Sequence, residues 1–136
     1  MKDIDELPIL DSELTKKLAG KKYDLVQDIL ALLIKELPND LTVMNQLYQQ
    51  KKYRELEQRL HQLHGALCYC GTPRLKTIVA QLESKLKNKT IDDDLTVFFN
   101  KLNSETTLLL QHYAAIKKMP LKYKLKRHYV KKLLII

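Results

Sequence analysis

The stretch Leu60-His61-Gln62-Leu63-His64-Gly65-Ala66, read with Leu56 before it and Leu67 after it, decides the fold class. The four leucines recur at spacings of four, three and four, which at about 100° per residue makes a single apolar stripe on an α-helix. His61, His64, Gly65 and Cys68 fall together on another part of the same wheel. The spacing therefore predicts a helix that buries its leucines and turns two imidazoles away from the core. Gly65 is out of place by propensity, since a glycine inside an exposed helix costs about 1 kcal/mol relative to alanine. A close approach by another molecule at this point would justify it.

Helical spacing continues on both sides. Downstream, Gly71-Thr72-Pro73 reads as a helix-ending glycine, a threonine N-cap and a proline in the first helical position. Leu75, Ile78, Val79, Leu82 and Leu86 then give a stripe to about Lys87, and Asn88-Lys89-Thr90 reads as a loop. Asp92, Asp93 and Asp94 suit the start of a last helix, whose stripe is Leu95, Phe98, Phe99, Leu102, Leu109, Tyr113 and Ile116. Upstream, the histidine helix runs from Arg54 to about Cys70, after a polar turn at Gln50-Lys51-Lys52-Tyr53. The helix before that turn starts near Tyr23 and carries Val26, Ile29, Leu30, Leu33, Ile34 and Leu37, then Leu41, Met44 and Leu47. The spacing favours one helix kinked at Pro38 over two separate ones. A short helix from Asp11, a good N-cap, to Ala19 puts Leu10, Leu14 and Leu18 on one face, with Gly20 as its stop. Four long helices with short loops imply an all-α, antiparallel four-helix bundle, and the short N-terminal helix would cap it as a lid.

Composition agrees with one such domain. A chain of 136 residues with 45% hydrophobic content can bury one core and is too short for two ordinary domains. Three glycines and four prolines leave no Rossmann or P-loop pattern. No apolar run reaches the roughly 18 residues of a membrane span, and the N-terminus, with Asp3, Asp5 and Glu6, is unlike a signal peptide. A cytoplasmic location is expected, and the two cysteines suit a reducing compartment. The net charge of +8 is local, because eight bases and no acid lie in residues 117–136, while residues 1–116 are balanced at 16 of each. The overall charge is therefore no argument for a nucleic-acid partner.

The pattern His61-x-Leu63-His64-Gly65-Ala66, followed by an apolar run, Gly71 and Pro73-Arg74-Leu75, resembles the histidine-containing phosphotransfer (HPt) domain. Ile9-Leu10-Asp11, Leu18-Ala19-Gly20-Lys21, Leu25 through Leu37-Pro38 and Cys68 through Lys76 are similar to the module that ends tripartite hybrid sensor kinases of the BarA/GacS type. The likeness covers roughly residues 9–113, so the expected organisation is a lead of residues 1–8, an HPt bundle of residues 9–116 and a basic tail of residues 117–136. It implies that His61 accepts a phosphoryl group from the aspartate of a receiver domain and passes it to the aspartate of a response regulator. It implies also that this chain is a carrier without catalysis of its own, and that Mg²⁺ belongs to the partner receivers and no cofactor to this chain. His64 stands where many HPt domains carry lysine. It lies one turn beyond His61, near enough to donate a hydrogen bond to a phosphoryl group there or simply to be a solvated neighbour. Gly65 is then the close-approach position, and Arg59 and Gln62 flank the site.

The sequence suits two other chemistries. His61, His64, Cys68 and Cys70 are zinc-ligand types, but Cys70 is rotated about half a turn from Cys68 on a helix and would point inward, so no metal site is expected. In the tail, Leu121, Leu125, Tyr129, Leu133 and Ile136 recur every four residues among the bases. That pattern suits an anionic membrane surface, a partner, or a plain extension of the last helix. A rival function from another class is a non-catalytic scaffold or membrane-surface adaptor that uses this tail.

Overall fold

The computed structural model describes residues 4–89 and 93–117, with only the backbone of residues 93, 94 and 117. The expected tail beyond Lys117, Thr90 at the end of the expected loop, Asp92 at the start of the expected last helix, and residues 1–3 of the lead lie outside the described residues. A short helix, α1 (Ser12–Ala19), precedes four long ones: α2 (Tyr23–Gln49), α3 (Tyr53–Leu67), α4 (Pro73–Lys87) and α5 (Asp93–Lys117). Two 3₁₀ turns, Ile4–Glu6 and Gly20–Lys22, complete the described structure. The all-α bundle expected from the spacing is the observed fold.

Side-chain pairs fix the antiparallel arrangement. On α2 and α5, Tyr48 stacks on Phe99 with ring centroids 4.2 Å apart, and Asn45 Nδ2 donates to Asn103 Oδ1 at 2.9 Å. Arg59 of α3 lies 3.6 Å from Asp40 of α2, and Arg74 of α4 lies 2.7 Å from Glu105 of α5. From Tyr48 back to Asn45 on α2 the partners advance from Phe99 to Asn103 on α5, and from Arg74 on to Lys85 on α4 they retreat from Glu105 to Phe98; the four helices close a ring, with α2 on α3, α3 on α4, α4 on α5 and α5 on α2. Leu56, Leu60, Leu63 and Leu67 are all buried, as are Leu75, Ile78, Val79, Leu82 and Leu86. Fully burying a side chain of this kind contributes about 1.5–3 kcal/mol, and these two stripes face each other across the hairpin that carries the site.

Helix α2 runs unbroken through Pro38, which lies exposed, so the hydrogen bond it forgoes is lost on the solvent side. Ile29, expected in the buried stripe, is 42% exposed and forms an outward row with Leu25 and Leu32. The first half of α2 is apolar nearly all round, and spacing alone then cannot say which row faces the core. Similarly, α1 is held less by leucines than by polar contacts. Leu10 is buried, but Leu14 is half-buried and Leu18 is 43% exposed. Asp11 caps the helix by accepting from the Leu14 amide at 3.1 Å, and its own amide donates to the Gly71 carbonyl at 2.8 Å. Buried Thr15 donates to the carbonyls of Asp11 and Cys70, at 3.0 and 3.2 Å.

That docking explains Gly71. Its φ is +66°, and a Cβ built there would stand 2.0 Å from Thr15 Oγ1 and 2.5 Å from the Asp11 carbonyl oxygen. Two further expectations are corrected at this turn. Helix α3 ends at Leu67 instead of near Cys70, so Cys68-Tyr69-Cys70 belongs to the turn. Thr72 holds the N-cap position of α4 but makes no capping bond, and its hydroxyl is buried without a hydrogen-bond partner. Pro73 in the first helical position starts α4 instead.

Candidate functional site

The antiparallel hairpin of α3 and α4 brings residues together that lie equally far from Thr72. His61 and Glu83 are each eleven positions from it, and they meet. His61 is the exposed partner, with 70% of its side chain accessible, whereas Glu83 has only 7%. His61 Nδ1 lies 2.8 Å from Glu83 Oε2. His64 Nδ1 lies 3.3 Å from the other carboxylate oxygen, and its side chain is 30% exposed. Lys87, one turn further along α4, places Nζ 3.5 Å from Glu83 Oε2. One carboxylate thus gathers two imidazoles and an ammonium group.

Its charge state follows from its neighbours. Burial pushes the Glu83 carboxyl up, but the His61 hydrogen bond and the charges of Lys87, His61 and His64 outweigh burial and hold it below its usual range. Glu83 is therefore a carboxylate at neutral pH, an acceptor only. The proton of the His61 hydrogen bond must then sit on Nδ1. A neutral imidazole has one proton, so Nε2 is left with its lone pair.

Around His61 the surface is an open cleft lined by Glu57, Gln58, Gln62 and Lys87. Gly65 is exposed, and a Cβ built on it would meet nothing within 4 Å, so the glycine has no packing duty. Arg59 turns toward Asp40 of α2, to the side of the histidine. Cys68 is half-buried, and Cys70 is fully buried with its thiol donating to the Ala66 carbonyl at 3.1 Å. Among the described residues no group of three or more His, Cys, Asp or Glu side chains converges as a metal site. The residues that the sequence reading missed are Glu83 and Lys87. In sequence they look like an ordinary i, i+4 surface pair.

The sequence profile described as the Hpt domain matches residues 28–117. The chain belongs to the Hpt domain family. It is 36% identical over 84 residues to the sensor histidine kinase GacS of Pseudomonas protegens, a match covering 62% of this chain. It is 37% identical over 79 residues, or 58% of the chain, to the sensor protein GacS of Pseudomonas syringae pv. syringae. With the signal transduction histidine-protein kinase BarA of Escherichia coli K12 the figures are 31%, 86 residues and 63%. Each match spans only 9% of the relative's own length. No solved structure gives a match. An Hpt domain is a histidine phosphotransfer module of two-component phosphorelays. Among the described residues no helix is long and apolar enough to cross a membrane.

Proposed function

We propose that His61 is the phosphoryl acceptor of this Hpt domain, taking the group from a receiver-domain aspartate of a hybrid sensor kinase and passing it to the receiver aspartate of a response regulator. The observation that carries the reading is the 2.8 Å contact between exposed His61 Nδ1 and buried Glu83. It leaves Nε2 as the nucleophile. In the first transfer the Nε2 lone pair forms a bond to phosphorus, the bond between phosphorus and the aspartyl oxygen breaks, and the donor aspartate leaves as a carboxylate. The Nδ1 proton stays where it is. The ring becomes positive as it accepts the phosphoryl group, and the Glu83 carboxylate offsets that charge from the far side. The second transfer reverses these steps onto another aspartate.

In this scheme His64 turns Nδ1 to Glu83 and has its other nitrogen for a phosphoryl oxygen, and Gly65 keeps the face open to a docking receiver. Mg²⁺ is assigned to the receivers, where it offsets charge on the group in transfer. This chain supplies the acceptor nitrogen and its support, and the bundle of residues 9–116 is the transferring unit. The test is incubation of the whole chain with a phosphorylated receiver. Acid-labile, alkali-stable label should appear on the wild type and be absent from His61→Gln, whose circular dichroism should be unchanged because the side chain faces solvent. Label retained on a folded His61→Gln would defeat the assignment.

A further inference from the structure

A phosphoryl group on His61 Nε2 brings about two negative charges to a ring whose other nitrogen already touches a carboxylate. Glu57 lines the same cleft. The cleft therefore gathers negative charge, and among the residues that line it Lys87 is the one with a fixed positive charge. Lys87 is the last residue of α4, its side chain is 53% exposed, and among the described residues its ammonium pairs with Glu83 Oε2 at 3.5 Å. A long, half-exposed side chain of this kind can swing within the cleft at little cost.

Resting on the assignment of His61 as acceptor, we propose that Lys87 is the phosphoryl-binding cation of this site, leaving Glu83 to hold the oxygens of the group as it arrives on His61 Nε2. The rival reading, an ordinary pair on the helix surface, predicts the opposite sign. If Lys87 only neutralised Glu83, its removal would leave the carboxylate pulling harder on the Nδ1 proton and would make Nε2 a better nucleophile.

The experiment uses phosphoramidate as donor, which takes receiver docking out of the measurement. The bond between its nitrogen and phosphorus breaks, ammonia leaves, and the new bond forms to Nε2. Lys87→Gln is expected to slow uptake about tenfold, the size of one charge-assisted hydrogen bond at a partly exposed site, and to shorten the half-life of the phosphohistidine. Lys87→Arg should keep both near wild type. His64→Lys added to Lys87→Gln should recover uptake, because it returns a fixed cation one turn from His61. Uptake and half-life in Lys87→Gln equal to or above wild type would overturn the proposal, as would failure of Lys87→Arg to rescue it. Failure of the parent reading looks different: His61→Gln would then label as well as wild type with phosphoramidate and with a phosphorylated receiver.

Discussion

Replacing Glu83 tests the site from beneath. The His61 contact is a hydrogen bond to a charged acceptor, a type that contributes about 1.5–3 kcal/mol when well shielded. Here the imidazole is 70% exposed, and solvent screening brings the expected preference for the Nδ1–H form down to about 1 kcal/mol. At room temperature that is about fivefold in the ratio of the Nδ1–H to the Nε2–H form, or about twofold in the population with a free Nε2. Glu83→Ala, which also removes the carboxylate that offsets the ring's charge during transfer, should slow phosphoryl uptake about fivefold. Glu83→Gln, which keeps an acceptor oxygen but not the charge, should slow it about twofold, since a neutral hydrogen bond is roughly half as strong. Two measurements check this together: labelling rates from a phosphorylated receiver, and nitrogen-15 correlation spectra of the imidazoles, which report where the proton resides. The wild type should show Nδ1–H at His61 and the alanine variant a mixture. The acid limb has a definite sign. A carboxyl held below its unfolded value stabilises the fold above the ordinary pKa of about 4.3 and loses that contribution as pH falls through the lowered value. The stability gap between wild type and Glu83→Gln should accordingly close below about pH 4. Wild-type uptake and an unchanged tautomer in Glu83→Ala would refute the argument.

The packing leads to four further outcomes. Gly71→Ala must place its Cβ against Thr15 and Asp11 at a φ of +66°, and should cost about 2–4 kcal/mol in chemical denaturation. Gly65→Ala meets nothing within 4 Å and should leave stability unchanged or raise it by up to about 1 kcal/mol, while slowing transfer from a receiver by crowding the docking face. In thiol titration at pH 8 only half-buried Cys68 should react in the native protein, because Cys70 is buried and burial, then the neighbouring Cys68, push its pKa up to about 11; both should react after unfolding. Glu105→Ala removes the 2.7 Å partner of Arg74, whose side chain is only 12% exposed, and leaves it the exposed Asp5 at 3.2 Å, so it should destabilise the bundle by about 1–2 kcal/mol in the same denaturation assay.

How much of this was legible beforehand depends on what each residue reports about itself. The leucines of α3 and the stripe of α4 declare their burial by spacing alone, and every one of them is buried. Spacing fails on α2, where Leu25, Ile29 and Leu32 form a second apolar row that no local pattern separates from the core row. It fails differently at Thr72, whose residue type suits a cap that the local geometry does not let it make. Glu83 lies beyond one-helix reasoning altogether, because a carboxylate four positions from Val79 and four from Lys87 is, by composition, a surface residue. The missing signal lay between helices. Once Gly71-Thr72-Pro73 is taken as a tight turn, residues equally far from Thr72 face each other, and His61 pairs with Glu83, Glu57 with Lys87, and Cys68 with Lys76. All three pairs share a contact or a cavity wall. The same register makes the chemistry sensitive to the helix itself: a residue added inside α4 between Thr77 and Glu83 would rotate Glu83 and Lys87 by about 100° relative to the start of the helix and carry both away from His61 together.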